Sequence, residues 1–162
     1  MIMKTRFLFP SRFKFIGWIL LLVGLGLGAV LMINDLDYFN WKVNVFPLIG
    51  EKSGFLTSNE SLTWSENNVA DEVASILIII GGVLVGFSKT KEEDEFIYKV
   101  RMESLIWATY VNYAVLLLAV LFVFDMPFFS VLIYNMFTVL FIFIVRFHFM
   151  LYKSKKQLSY EE

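Results

Sequence analysis

Four long apolar stretches constrain this chain more than any other feature. The predicted helices that contain them run at about residues 15–33, 69–87, 91–124 and 127–152, and each is long enough to cross about 30 Å of hydrocarbon. Hydrophobic residues make up 58% of the 162 residues, more than a soluble chain of this size is able to bury. The sequence therefore predicts a single all-α membrane domain over residues 1–162, a four-transmembrane-helix bundle.

The first apolar stretch has the basic start of a secretory signal peptide, so a cleaved signal is the alternative to a membrane anchor. Its apolar run exceeds the usual ~7–15 residues of a signal peptide. Asn34, Asp35 and Asp37 follow it, where a cleavage site would have small residues. We therefore expect the first helix to be retained.

The lysines and arginines predict the orientation of the helices. Of the 14 in the chain, Lys42 and Lys52 lie in the loop 34–68, and all the others lie at the opposite ends of the four stretches. Cytoplasmic loops are enriched in these residues. Both termini are therefore predicted to be cytoplasmic, and the loop 34–68 is predicted to be extracytoplasmic.

The outer loop carries two signals of local structure. Apolar and polar residues alternate over residues 41–45, which is typical of a strand, and residues 54–57 are the predicted returning strand of a short β-hairpin. Asn68 is a residue type that begins helices, and Asp71 follows in the predicted first turn. The second helix is therefore predicted to begin next to Asn68.

The inner loop and the last connection are predicted to be ordered. Thr90 and Glu93 have the spacing of a capping box, so the third helix is predicted to begin near Lys91 and to project into the cytoplasm. Only residues 125–127 separate the third and fourth apolar stretches. These two helices are therefore predicted to form an antiparallel hairpin.

Glycines recur at helical spacing in the first two predicted helices. Small residues spaced in this way let the backbones of membrane helices approach closely. We interpret them as the packing surface between helices one and two of one chain, and a dimer face is the alternative. The glycines concerned are Gly17, Gly24, Gly28, Gly82 and Gly86.

Polar side chains within the last two helices form a second candidate feature. Amides in hydrocarbon need hydrogen-bond partners, so these side chains are expected to face protein. Interhelical hydrogen bonding is the favoured interpretation, and a pocket for a small ligand, a lipid or a quinone head group is the alternative. The group consists of Asn112, Tyr113, Asn135 and Thr138.

Glu103, Arg146 and His148 are predicted to meet near the inner membrane interface. The favoured interpretation is an interfacial ion pair, and the alternative makes His148 a proton-transfer group or a ligand. His148 is the one histidine of the chain and there is no cysteine. These counts exclude a bis-histidine haem, a cysteine-ligated cluster and a two-histidine metal site within one chain, and we expect no cofactor and no metal.

Signatures of enzymes are missing from the sequence. It has no phosphate-binding loop, no G-x-S-x-G, no H-E-x-x-H and no paired intramembrane carboxylate, and its net charge of −1 does not favour nucleic acid. We expect a non-enzymatic accessory or assembly subunit that acts through other membrane proteins or self-association. The alternative is an oligomeric small-solute or ion transport pathway. A lipid- or quinone-modifying enzyme that uses Glu103 or His148 is a third hypothesis.

Residues 95–153, which include RMESLIWATYVNY and YNMFTVLFIFIVRFHFMLYK, resemble small uncharacterised four-helix inner-membrane proteins of bacteria. The resemblance covers roughly the last two helices and implies a location in the bacterial inner (plasma) membrane. It implies no activity and no functional residue. The predicted layout is also similar to that of tetraspan proteins, but the cysteines that define tetraspanins and claudins are absent.

Overall fold

Four α-helices and one two-stranded ribbon make up the described part of the computed structural model, which covers residues 7–33, 41–45, 65–90 and 94–161. In chain order the elements are α1 (Arg12–Ile33), β1 (Lys42–Val45), β2 (Ser65–Asn68), α2 (Ala70–Phe87), α3 (Glu95–Phe122) and α4 (Met126–Glu161). All four helices are long and apolar enough to cross a membrane.

The chain divides into two compact units, residues 1–22 with 78–162 and residues 23–77. In the smaller unit, Leu31 of α1 packs with Ala70 and Ala74 of α2. This packing brings the end of α1 next to the start of α2, and the ribbon forms between the segments that follow and precede these helices.

The ribbon confirms the predicted first strand and pairs it with the segment that precedes α2. β1 pairs antiparallel with β2, so that Lys42 lies opposite Asn68 and Val45 opposite Ser65. Among the described residues the partner strand is Ser65–Asn68, and the predicted returning strand, residues 54–57, lies outside the described residues. The physical reason for the observed pairing is that β2 leads directly into α2 and is held beside β1 by the packing of the two helices.

Asn68 contributes to the start of α2, as expected. Its side-chain oxygen accepts a hydrogen bond from the backbone N–H of Ala70 at 3.3 Å. Asp71 and Glu72 then occupy the first turn, where carboxylates favour the positive end of the helix dipole.

The larger unit contains the start of α1, the end of α2, and all of α3 and α4. Before α1 the chain runs beside the end of α2. Phe9 donates its N–H to the carbonyl of Phe87 at 3.0 Å and accepts from the N–H of Lys89 at 2.9 Å. The core of this unit is apolar and draws on all four helices: Leu21, Ile78, Val85, Val100, Ala108, Phe143, Ile144 and Phe147.

Glycines allow α1 and α2 to meet backbone to backbone in the larger unit. A Cβ atom at Gly81 would lie 2.5 Å from the backbone nitrogen of Leu21 and 2.9 Å from the carbonyl oxygen of Gly17. A Cβ atom at Gly17 would lie 2.9 Å from the backbone nitrogen of Val85. Neither position has room for a side chain.

Gly82 and Gly86 do not pack against α1, which corrects that part of the predicted glycine surface. A Cβ atom at Gly82 would collide with the side chain of Leu140, and one at Gly86 would lie 2.5 Å from the ring of Phe143. Neighbouring residues project about 100° apart around a helix, so Gly81 faces α1 and Gly82 faces α4. Gly24 is buried and Gly28 is partly buried in the smaller unit.

The start of α3 differs from the prediction. The N-cap is Asp94, whose side chain accepts a hydrogen bond from the N–H of Ile97 at 2.8 Å, and α3 begins at Glu95 rather than near Lys91. Residues 91–93 lie outside the described residues. Asp94 provides the same capping chemistry that we assigned to Thr90, four residues later along the chain.

α3 and α4 pack together as a tight hairpin. α3 ends at Phe122, Asp125 adopts a left-handed conformation with φ of 60°, and α4 begins at Met126. α4 continues to Glu161, past the predicted end at residue 152. The reason is that the residues after Tyr152 contain good helix formers and neither glycine nor proline, so nothing in them stops the helix.

Candidate functional site

A buried arginine joins three elements at one end of the larger unit. Arg101 of α3 is 3% exposed, and its guanidinium donates a hydrogen bond to the carbonyl oxygen of Ser88, just after α2, at 3.3 Å. Its guanidinium carbon also lies 4.9 Å from the ring centroid of Phe147 in α4. A buried cation needs such contacts to offset the loss of water. The sequence predicted no site at Arg101, which counted only among the basic residues that predict the orientation.

His148 lies beside this arrangement, among aromatic rings. Its ring is edge-on to Trp18 of α1, with centroids 5.6 Å apart, and edge-on to Phe147 at 5.4 Å. Nδ1 lies 2.9 Å from the carbonyl oxygen of Ile144, and because a carbonyl only accepts, Nδ1 carries the hydrogen. Nε2 is buried and has no hydrogen-bond partner among the described residues.

Arg146 contacts an aromatic ring instead of a carboxylate. Its guanidinium carbon lies 4.4 Å from the ring centroid of Trp107, a residue of α3. Glu103 is exposed, and within the described ranges no ion pair joins it to Arg146 or His148. The predicted charge cluster is therefore three separate environments at the same end of the unit.

The four polar residues predicted as an intramembrane cluster have different surroundings. Asn112 is 7% exposed and Asn135 is partly buried, and the Oδ1 atom of each is buried without a hydrogen-bond partner in the described part of the chain. The hydroxyl of Thr138 donates to a carbonyl of its own helix, that of Tyr134, at 3.0 Å. Tyr113 points outward. These side chains do not form one hydrogen-bonded network.

One outward surface of α3 carries two tyrosines. Tyr110 is 70% exposed and Tyr113 is 64% exposed. Together with exposed Ile106 and Leu117 they follow the i, i+4, i+7 spacing of one helix side, and we call these four residues the tyrosine face. The spacing is visible in the sequence, but which side of α3 stays uncovered depends on the packing of the other helices.

In the described ranges no three His, Asp or Glu side chains come together in a group that could hold a metal ion. The polar features of the larger unit are thus a packed arginine, an aromatic-bound histidine, an arginine on a tryptophan and an uncovered tyrosine face. Comparisons with protein-family models, with curated proteins and with solved structures found no match to this chain.

Proposed function

We propose that this protein is a non-enzymatic integral membrane protein that acts as an accessory or assembly subunit by binding other membrane proteins. The observation that carries the proposal is the tyrosine face. Tyr110 and Tyr113 are exposed, and their hydroxyls have no hydrogen-bond partner in the described ranges of the chain.

The depth of these hydroxyls supports a protein partner. At 1.5 Å per residue, Tyr113 lies about 14 Å and Tyr110 about 18 Å along α3 from its end at Phe122. Both positions are near the middle of a hydrocarbon layer of about 30 Å, too deep for a phenol to reach the head groups. Acyl chains offer no acceptor, whereas a neighbouring helix does.

The orientation proposed for this subunit follows the basic residues. Arg12 at the start of α1, Arg101 near the start of α3 and Arg146 towards the end of α4 mark one end of the helices. We assign that end to the cytoplasm, and we assign the ribbon to the opposite side of a bacterial inner membrane. Reporter fusions at both termini test this assignment.

Site-specific photocrosslinking in cells tests the partner proposal. A benzophenone amino acid at Tyr113 is expected to give a defined crosslinked product with another membrane protein. The matched position is Leu118, which is also exposed on α3 but lies outside the tyrosine face. Absence of a product at Tyr113, or equal products at both positions, would contradict a specific protein-binding face.

A purification in mild detergent provides the second arm. The wild-type chain is expected to carry a partner chain, and the double variant Tyr110→Phe/Tyr113→Phe is expected to lose most of it because only the two hydroxyls are removed. Tyr152→Phe is the matched control, since Tyr152 is an exposed tyrosine of α4. A wild-type protein that purifies alone as a monodisperse monomer would contradict the proposal.

The second candidate function is an oligomeric pathway for a small solute or ion. It is favoured by the buried Oδ1 atoms of Asn112 and Asn135, which have no hydrogen-bond partner in the described residues and are suited to bind a polar solute. Flux in reconstituted liposomes tests it, with Asn112→Leu expected to abolish the flux. No flux for any class of solute would remove this candidate.

A further inference from the structure

A shallow apolar groove runs along the outside of the α3–α4 hairpin. Its volume is about 370 Å³, and all of its lining lies within the larger unit. Arg146 is the one charged member of the lining, which consists of Trp107, Phe141, Ile142, Val145, Arg146 and Phe149. We call these six residues the Arg146 groove.

We propose that the Arg146 groove binds one anionic phospholipid, with the lipid phosphate at Arg146 and an acyl chain along the apolar residues. The proposal is independent of any protein partner.

The position of Arg146 along α4 matches the level of a lipid head group. At 1.5 Å per residue it lies about 30 Å from Met126, which is about one hydrocarbon thickness. Phe141, Ile142 and Val145 precede it and therefore lie on the hydrocarbon side. A phosphate at Arg146 thus places the acyl chain of the same lipid over these residues.

The geometry of Arg146 favours a phosphate ligand. The guanidinium carbon lies 4.4 Å from the ring centroid of Trp107, and this contact limits the movement of the guanidinium. Its Nε is buried with no hydrogen-bond partner among the described residues. The two terminal Nη groups are not buried in this way, and their N–H groups are able to donate to two phosphate oxygens. The contact with the indole leaves the positive charge uncompensated, unlike an ion pair.

Glu103 is the acidic residue closest to the groove along the chain, one helical turn before Trp107. It is exposed and makes no ion pair with Arg146 in the described ranges, so it leaves the arginine available. Its negative charge opposes that of an anionic lipid. The two charged residues therefore give opposite expectations for the same measurement.

Quenching of Trp107 fluorescence by brominated lipids measures occupancy of this groove. The protein is reconstituted in phosphatidylcholine vesicles with Trp18, Trp41 and Trp64 replaced by phenylalanine, so that Trp107 is the emitting residue. Brominated phosphatidylglycerol is then compared with brominated phosphatidylcholine at equal mole fraction. We expect the anionic lipid to associate about fivefold more strongly, the preference expected for one well-placed cation at an anionic surface.

Variants of the charged residues assign the preference to the groove. Arg146→Gln is expected to reduce the ratio to about one, Arg146→Lys to keep part of it because the charge remains, and Glu103→Gln to raise it. Lys153→Gln is the matched control, because Lys153 is an exposed cation on α4 outside the groove. Circular dichroism of each variant shows that the helices are intact.

Three results would overturn the proposal. The first is equal quenching by the two lipids in the wild-type chain. The second is a loss in Lys153→Gln as large as that in Arg146→Gln, which would indicate general attraction to the membrane surface. The third is displacement by inorganic phosphate at millimolar concentration, which would indicate a site for free anions rather than for a lipid.

Discussion

The contact between α1 and α2 at Gly81 gives the sharpest prediction for stability. A Cβ atom at this position would lie 2.5 Å from the nitrogen and 2.8 Å from the Cα of Leu21, both backbone atoms that no rotamer change is able to move. Ordinary contacts of carbon are about 3.5–4.0 Å, so Gly81→Ala must separate the helices by roughly 1 Å. Forced overpacking typically costs about 1–3 kcal/mol, and we expect about 2 kcal/mol here.

Two other glycines calibrate this expectation. A Cβ atom at Gly82 would meet the side chain of Leu140, which is able to change rotamer, so Gly82→Ala is expected to cost about 1 kcal/mol. A Cβ atom at Gly26 would meet nothing within 4 Å, so Gly26→Ala is expected to leave the free energy of unfolding unchanged or to raise it by up to about 1 kcal/mol, because alanine is the better helix former.

Reversible unfolding in mixed micelles, with sodium dodecyl sulfate as the denaturant and circular dichroism as the readout, measures all three variants. The expected order of destabilisation is Gly81→Ala, then Gly82→Ala, then Gly26→Ala. If Gly26→Ala lowers the free energy of unfolding as much as Gly81→Ala, a loss occurs where no atom is in the way, and the argument from close approach is refuted.

The same unfolding assay checks four further expectations. Asp94→Ala removes the N-cap of α3 and should lower the free energy of unfolding by about 1 kcal/mol, whereas Asp94→Asn should retain most of it. Asp125→Gly should raise the free energy by up to about 1 kcal/mol, because Asp125 has a positive φ that glycine adopts without strain; a decrease would contradict this. Asn112→Leu should be neutral or stabilising, since its buried oxygen has no hydrogen-bond partner in the described residues, and a loss above about 1 kcal/mol would argue against this. Arg101→Gln should cost about 2–4 kcal/mol through its lost contacts, and Arg146→Gln should cost clearly less; equal losses would contradict the distinction.

The sequence predicts four long apolar helices because length and apolar composition are properties of each segment by itself. Signals from single residues were also reliable, since Asn68 accepts the hydrogen bond expected at the start of α2. The sequence did not predict which helix each glycine packs against. Helical spacing shows that Gly81 and Gly82 project in different directions, but the neighbour on each side follows from the packing of four helices.

The charged residues show the same limit in more detail. Opposite charges at similar depth predicted an ion pair of Glu103 with Arg146, yet Arg146 contacts Trp107. An exposed ion pair contributes little, whereas a planar guanidinium gains from stacking on an indole. Similar depth in the membrane therefore did not identify the partner of Arg146. The partner is Trp107, one helical turn after Glu103 on α3.

Two arginines at one end of the larger unit separate packing from binding. Arg101 is enclosed between the chain after α2 and a ring of α4, so its charge is occupied in holding the helices together. Arg146 lines an apolar groove on the outside of the hairpin, where we propose that its guanidinium meets a lipid phosphate. In a positive-inside count both residues contribute equally to orientation. The surroundings of Arg101 therefore fit a role in packing, and those of Arg146 fit the proposed contact with a lipid.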